Sequence, residues 1–215
     1  MSQSLSITPF TSVDLPILAD YLHTSKLLLA INRFLILDWP NEPAQRKRCT
    51  TAVQGSLDDP NSECLKAVDI AAGDIIGFAV LTRKHPLKDE DAPKQECSDF
   101  MNPRVFESVM QGAEDLGKSV QDLDRYDEKH LHVDCSSSHR RSGVASKLLD
   151  VFKDRCRAEG LPLCTQSEPA AFQFFLNQGF KDDGHCDFDL AQWADPNSGF
   201  GVFRLSGVKW VPEEI

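Results

Sequence analysis

Residues 130–160 read HLHVDCSSSHRRSGVASKLLDVFKDRCRAEG. The first six residues, His130–Cys135, alternate in polarity, which is typical of a β-strand. A Ser-rich turn follows, and Ser142–Ala158 then places its apolar residues on one stripe of a predicted amphipathic helix. That stripe consists of Val144, Leu148, Leu149, Phe152 and Cys156. The stretch therefore predicts a strand, a polar turn and a helix in immediate succession.

The turn at Arg140–Ala145 combines two arginines with a glycine directly before the helix. Backbone N–H groups at a helix start have no intrahelical partner, and the helix dipole adds partial positive charge there. Gly143 has no Cβ, so the backbone can approach a ligand closely. Arg140 and Arg141 can neutralise phosphate charge. An ordinary turn is the alternative interpretation, but the position between a strand and a helix favours a phosphate-binding site.

Segments on both sides of this stretch show strand and helix periodicity. Upstream, two alternating segments around a Gly-Asp turn predict a β-hairpin. Downstream, a buried strand, a helix with Pro in its first turn and two final strands are predicted. These elements cover Cys64–Ile70, Ile75–Leu81, Leu161–Thr165, Ser167–Gly179, the residues from Phe180 onward and Phe200–Trp210.

The N-terminal part of the chain predicts a short strand at Leu5–Ile7 and a helix at Asp14–His23. Lys26–Leu37 is strongly apolar and compatible with a further helix. Asn41–Asn61 is polar, and its basic patch Arg46–Arg48 is interpreted as a solvated face rather than a binding site.

Residues 86–129 form an insertion between the hairpin and the strand at residue 130. The insertion is polar and Pro-containing, with a short amphipathic helix predicted at Pro103–Gly117. Connections of this length are often lids or binding loops. Neither an internal repeat nor a second-domain boundary is apparent, so residues 1–215 are expected to form one mixed α/β domain with helices on both faces of its sheet.

The composition of the chain argues against several classes of function. The chain has 215 residues and a net charge of −10, which argues against nonspecific binding to nucleic acid or to an anionic membrane. No apolar run is long enough to span a membrane, and no secretory signal is apparent. The seven cysteines are widely spaced without a Cys-x-x-Cys pair, and His185-Cys186-Asp187 has no second pair of ligands, so we expect neither disulfides nor a metal site. A reducing, cytoplasmic setting is expected.

The chain resembles the GNAT superfamily of acetyl-CoA-dependent N-acetyltransferases. Arg140–Ala145 matches that family's pyrophosphate-binding motif, with Ala145 in place of the second glycine. Leu131–Cys135 resembles the fourth strand of the family, Ala171–Phe180 its C-terminal helix, and Asp69–Leu81 the preceding hairpin. The resemblance implies a mixed, mostly antiparallel sheet of six to seven strands, with the fourth and fifth strands splayed apart.

The resemblance also implies acetyl-CoA as the acyl donor, lying in the gap between the splayed strands. Its pyrophosphate would meet the turn before the helix, and its pantetheine arm would pair with the fourth strand. The residues expected to bind it are Val133, Asp134, Cys135, Arg140, Arg141, Ser142, Gly143, Val144, Ala145 and Phe175.

The catalytic residues are less clear, because Phe175 stands where many relatives carry a tyrosine that acts as a general acid. Tyr126 in the insertion is an alternative acid, and water is another. His132 and Glu168 are the candidate bases, and a gapped alignment makes Asp127 a further one.

The expected activity is direct acetyl transfer to an amine, with the insertion closing over a small-molecule acceptor. A non-catalytic acyl-CoA-binding or regulatory module and a protein-lysine acetyltransferase are the alternatives. The expected partners are acetyl-CoA and the amine, without nucleic acid or membrane, and the expected state is a monomer or a homodimer.

Overall fold

The computed structural model describes residues 4–84, 96–120, 128–135 and 142–213, with the backbone alone for residues 118–120 and 128–135. These residues form seven strands and six α-helices. The strands are β1 (Leu5–Pro9), β2 (Ser62–Asp69), β3 (Ile75–Lys84), β4 (Glu128–Cys135), β5 (Leu163–Ser167), β6 (Lys181–Asp189) and β7 (Val202–Trp210). The helices are α1 (Leu15–Leu27), α2 (Asn32–Leu35), α3 (Glu42–Asp58), α4 (Pro103–Val120), α5 (Val144–Glu159) and α6 (Pro169–Asn177).

The strands lie in the order β1-β2-β3-β4-β5-β7-β6. Every neighbouring pair is antiparallel except β4 and β5, which run parallel. The sheet therefore consists of an N-terminal block (β1–β4) and a C-terminal block (β5, β7 and β6). The predicted hairpin is confirmed as β2 and β3, and the mixed α/β class is confirmed as well.

The two blocks meet through very few strand pairs. In the described residues, β4 pairs with β5 only at Lys129 with Leu163 and at His130 with Cys164. Beyond those pairs β4 continues to Cys135, where it is held by β3 alone. The facing edges of β4 and β5 are therefore unpaired over several residues, as the splayed arrangement expected from the resemblance requires.

Helices cover both faces of the sheet. On one face α5 and α6 pack against apolar side chains from both blocks, including Ala79, Leu163 and Val208. On the opposite face α1 and α3 pack against Phe78 and Val80 of β3. The alternation of β3 residues between the two cores follows from the period of two in a strand.

One prediction for the N-terminal helices is wrong. The apolar segment Lys26–Leu37 is not one helix, because α1 ends at Leu27 and α2 starts at Asn32. The side chain of Asn32 donates a hydrogen bond to the carbonyl of Lys26 at 2.8 Å, which satisfies an acceptor at the end of α1. The apolar residues after the turn then pack into two other clusters, Ile31 near Phe188 and Leu35 near Met101.

The polar segment Asn41–Asn61 contains α3, a helix of 17 residues that the sequence pattern did not predict. Only Gln45, Cys49 and Val53 are buried on it. These residues are four apart, so they form a very narrow stripe with a single strongly apolar member. A stripe of that kind gives little amphipathic signal, and tertiary packing against α1 stabilises the helix instead.

The insertion contains α4, which extends three residues beyond the predicted end at Gly117. It packs on β6 and β7, on the same face of the sheet as α1 to α3. No helix in the described part of the chain is long and apolar enough to cross a membrane. Among the same residues, no three His, Cys, Asp or Glu side chains are grouped as metal ligands would be.

Candidate functional site

The gap between β4 and β5 is the first component of the candidate site. β4 is bonded to β3 from Glu128 to Cys135, and β5 is bonded to β7 from Leu163 to Ser167. Each strand is therefore fixed on its outer side while its inner edge is open toward the other. An open strand edge presents backbone N–H and C=O groups that an extended, amide-containing ligand can pair with.

The N-terminus of α5 is the second component. Gly143 is its N-cap and adopts a left-handed conformation, with φ of +84°. Among the described residues, a Cβ built at Gly143 would have no atom within 4 Å, so that part of the structure leaves open space beside the backbone. The first helical bond runs from the Lys147 N–H to the Gly143 carbonyl at 3.1 Å. The N–H groups of Val144, Ala145 and Ser146 therefore have no intrahelical acceptor, which favours an anion there.

The position of this helix end is fixed by contacts with α6. Val144 is buried beneath it in the core. The Gln178 side chain, at the end of α6, donates to the Ser146 hydroxyl at 3.2 Å. Lys153 donates to the Gln178 carbonyl, and its ammonium lies 5.6 Å from the Phe180 ring centroid. Burial lowers the pKa of Lys153, which marks how closely α5 and α6 pack.

Nine of the ten predicted cofactor-binding residues fall into three groups, and Phe175 lies apart from them. Val133–Cys135 lie in β4, opposite Gly77–Ala79 of β3 and next to the gap. Ser142–Ala145 lie at the start of α5, a helix that packs against β3 and β4. Arg140 and Arg141 lie outside the described residues, and so do Tyr126 and Asp127.

Phe175 lies in the core rather than along an open surface. It is 7% exposed, and its ring centroid lies 5.2 Å from the centroids of both Phe174 and Phe180. Direct contact between Phe175 and a cofactor stays a prediction. Its ring packs the C-terminal half of α6 against the sheet.

The candidate base Glu168 lies at the mouth of the gap. It directly follows β5 and is the N-cap residue of α6. Its Oε1 accepts a hydrogen bond from Lys26 Nζ of α1 at 2.7 Å, and both side chains are about one-third exposed. His132, the other candidate base, lies in β4 opposite Val80. No pattern in the sequence points to Lys26, because 142 residues separate it from Glu168.

A cavity of about 180 Å³ opens between α1 and α3, next to Lys26. Arg48 of α3 lines this cavity. It therefore has a second environment besides the solvated face that the sequence predicts for Arg46–Arg48. Burial in the surrounding protein lowers the pKa of the Arg48 guanidinium, although the residue keeps an exposed surface. The ion pair of Lys26 with Glu168 joins this cavity to the β4–β5 gap.

The described site thus combines an open strand edge, an anion-compatible helix end, a carboxylate and an adjacent cavity. Helix α5 follows β4 in the chain and packs against it, so the strand edge and the helix end together suit a long ligand with a phosphate group and an amide-containing arm. The carboxylate of Glu168 can accept a proton from a group placed in the gap.

This protein matches known proteins in its structure but not in its sequence. No family model matches the sequence, and no curated protein matches it. Solved structures do match, at low sequence identity. A yellow fever mosquito (Aedes aegypti) protein provisionally named arylalkylamine N-acetyltransferase 7 has a TM-score of 0.70 and 16% identity, with 96% of this chain and 87% of that chain covered.

Two bacterial structures cover nearly the whole of both chains. One is described as histone acetyltransferase HPA2 and related acetyltransferase from Corynebacterium glutamicum, with a TM-score of 0.61, 19% identity and coverage of 99% and 98%. The other is provisionally assigned to the GNAT family, from Desulfovibrio desulfuricans, with a TM-score of 0.54, 11% identity and coverage of 97% and 99%. The resemblance is thereby confirmed at the level of the fold, and this chain has the fold of the GNAT superfamily of acetyltransferases.

Proposed function

We propose that this protein is an acetyl-CoA-dependent N-acetyltransferase that acts on a small amine. One observation carries the proposal: β4 and β5 share only two residue pairs, and their open edges face each other beside the uncapped N–H groups at the start of α5. The structural neighbours that are named as N-acetyltransferases support the same class of reaction.

The residues available in the gap fit acetyl-CoA. The N–H groups of Ser142–Ala145 would bind its pyrophosphate, and the open space beside Gly143 lets the phosphate approach the backbone. Arg140 and Arg141 precede this helix end in the sequence and would add positive charge. The backbone of Val133–Cys135 would pair with the pantetheine arm, as an added strand does.

The proton transfers set the roles of the remaining residues. When bound, acetyl-CoA supplies a thioester whose acetyl group passes to the amine as the thiol leaves. The amine attacks only in its neutral form, so Glu168 or His132 would accept its proton, directly or through water. Phe175 has no proton to give, so we assign protonation of the leaving thiolate to water.

A small acceptor is supported by the cavity next to Lys26 and by α4, which covers β6 and β7 on the same face as α1. The named substrate class of the mosquito neighbour, an arylalkylamine, is also a small amine. A non-catalytic CoA-binding module is the second candidate, because Phe175 replaces the usual tyrosine. Release of free thiol from acetyl-CoA in the presence of a panel of amines, above the rate without amine, excludes that candidate.

The binding site is tested with a matched pair of glycine variants. Gly143 and Gly160 stand at opposite ends of α5, both with positive φ and both with open space for a Cβ. Alanine at either position costs about 1 kcal/mol of stability through backbone strain. We expect Gly143→Ala alone to raise the Kd for acetyl-CoA at least tenfold, measured by calorimetry, because its methyl group would lie in the cradle.

The unmodified protein should show a rise in Tm of about 5–10 °C at a ligand concentration of 100 Kd. Arg140→Ala and Arg141→Ala should each reduce that rise. Equal acetyl-CoA affinity in Gly143→Ala and Gly160→Ala would show that the helix end does not bind the phosphate. A folded protein with no Tm rise for any CoA species would remove the acetyltransferase proposal.

A further inference from the structure

The cavity between α1 and α3 has the features of a built binding site. Its volume of about 180 Å³ exceeds that of an engineered cavity of about 150 Å³ that binds benzene, so a molecule slightly larger than benzene fits. Apolar side chains, two buried amides and one guanidinium line it together. These residues are Leu22, Asn32, Gln45, Arg48, Cys49 and Ala52, and Lys26 completes the lining.

Arg48 has no carboxylate partner within the described residues, although acidic residues outnumber basic ones in the chain by 33 to 23. Its neighbour Arg46 shows the contrast, because it pairs with Asp20 at 2.5 Å and with Glu42 at 3.8 Å on the outer surface. A guanidinium that lines a cavity and has no carboxylate partner among the described residues favours an anionic ligand. Its planar fork of donors matches a carboxylate in particular.

The two amides make the cavity wall rigid. Asn32 and Gln45 are 6% and 4% exposed, respectively. Asn32 donates to the carbonyl of Lys26 at 2.8 Å, and Gln45 donates to the carbonyl of Pro40. These bonds fix the chain between α1 and α3 on both sides of α2, so the cavity is formed before a ligand arrives. Preorganisation of this kind lowers the entropic cost of binding.

The cavity is also close to the proposed site of transfer. Lys26 lines its wall and bonds Glu168, which lies at the end of β5 beside the gap. A molecule with its anionic end at Arg48 can therefore extend its other end past Lys26 toward Glu168. An amine at that end would meet the candidate base.

We propose that Arg48 binds the carboxylate of the acetyl acceptor, so that the acceptor is a small molecule carrying both an amine and a carboxylate. This inference rests on the proposed function, and it names the substrate class of that site. Leu22, Cys49 and Ala52 would contact the carbon skeleton between the two polar ends.

The test compares matched acceptors that differ only in the carboxylate. Butylamine is paired with 4-aminobutyrate, and pentylamine with 5-aminopentanoate, at saturating acetyl-CoA with thiol release as the readout. We expect at least one carboxylate-bearing member to have a kcat/KM at least tenfold above its partner. Arg48→Gln should remove a preference of about 10- to 100-fold, mainly through KM, as expected for lost charged hydrogen bonds. Arg46→Gln removes the same charge from α3 and should keep the preference.

Two outcomes overturn the inference. One is an absence of any carboxylate preference in an enzyme that acetylates simple amines, and the other is a preference that Arg48→Gln leaves unchanged. Calorimetry with the amino acids, alone and in the presence of CoA, separates this result from failure of the proposed function. If the protein binds no CoA, the acetyltransferase proposal fails. Amino-acid binding that Arg48→Gln abolishes would still support the carboxylate pocket, and its absence would overturn the pocket as well.

Discussion

The imidazole of His23 is the most deeply buried titratable side chain of α1, with 1% exposure. Its Nε2 is buried without a hydrogen-bond partner among the described residues. Burial lowers the pKa of His23, and the positive charge of Arg46 lowers it further, while Glu42 and Asp20 act in the opposite direction. The net effect favours a neutral His23 in the folded state.

We therefore expect protonation of His23 to lower the free energy of unfolding as the pH falls. The unfolded chain binds a proton at His23 near pH 6.5, whereas the folded chain resists it to lower pH. The stabilising contribution is complete above pH 6.5 and is lost progressively below it. Urea unfolding at pH 7.5, 6.5 and 5.0 should show a smaller decline in His23→Leu than in the unmodified protein.

His185 provides the control, because it is an exposed histidine of β6. His185→Gln should leave the decline with pH unchanged. An identical decline in the unmodified protein and in His23→Leu would show that other groups cause it.

At the scale of a single element, the two glycines of α4 have opposite surroundings, because one is tightly packed and the other is not. A Cβ at Gly112 would lie 2.5 Å from Cys186 Sγ and 2.8 Å from the Phe188 ring, whereas one at Gly117 would have no atom within 4 Å. At Gly112, α4 therefore lies too close to β6 for a larger side chain. Gly117 carries only the entropic cost of glycine in a helix.

Alanine at these two positions should change the free energy of unfolding in opposite directions. Gly112→Ala overpacks the contact and should destabilise the protein by about 1–3 kcal/mol. Gly117→Ala improves helix propensity and should stabilise it by about 0.5–1 kcal/mol. Urea unfolding measures both. A neutral Gly112→Ala would mean that α4 does not lie against β6 as described.

At the scale of the whole molecule, the sheet is two antiparallel blocks joined by two parallel residue pairs. Helix α5 contacts β2, β3 and β4, whereas α6 contacts β5, β6 and β7. A different helix therefore packs against each block. A ligand in the β4–β5 gap would touch both blocks and complete the broken part of the sheet.

Amide hydrogen exchange tests this consequence. Saturating acetyl-CoA should slow exchange at least tenfold at the open edges, which are Leu131–Cys135 of β4 and Thr165–Ser167 of β5, and at the start of α5. β1 lies at the far edge of the sheet, and its peptides should be unaffected. Protection confined to one block would contradict binding between the two.

Periodicity over 10 to 20 residues was enough to predict much of the fold. The α5 stripe of Leu148, Leu149, Phe152 and Cys156 is buried as its spacing implies, and the β2–β3 hairpin follows from alternation around a turn. The helix end at Gly143 was predicted for the same reason, because strand, turn and helix signals are adjacent in the chain. Helix α3 escaped prediction because its stability comes from packing and not from a local pattern.

The sequence by itself determined the local parts: the α5 helix, the glycine at its start and the β2–β3 hairpin. The tertiary structure alone decided which distant residues meet. The pair of Lys26 with Glu168 spans 142 residues, and Arg48 lines a cavity with residues of α1. The physical reason is that side-chain period depends on neighbours a few positions away, whereas such contacts depend on strand order and helix packing, which no local pattern encodes.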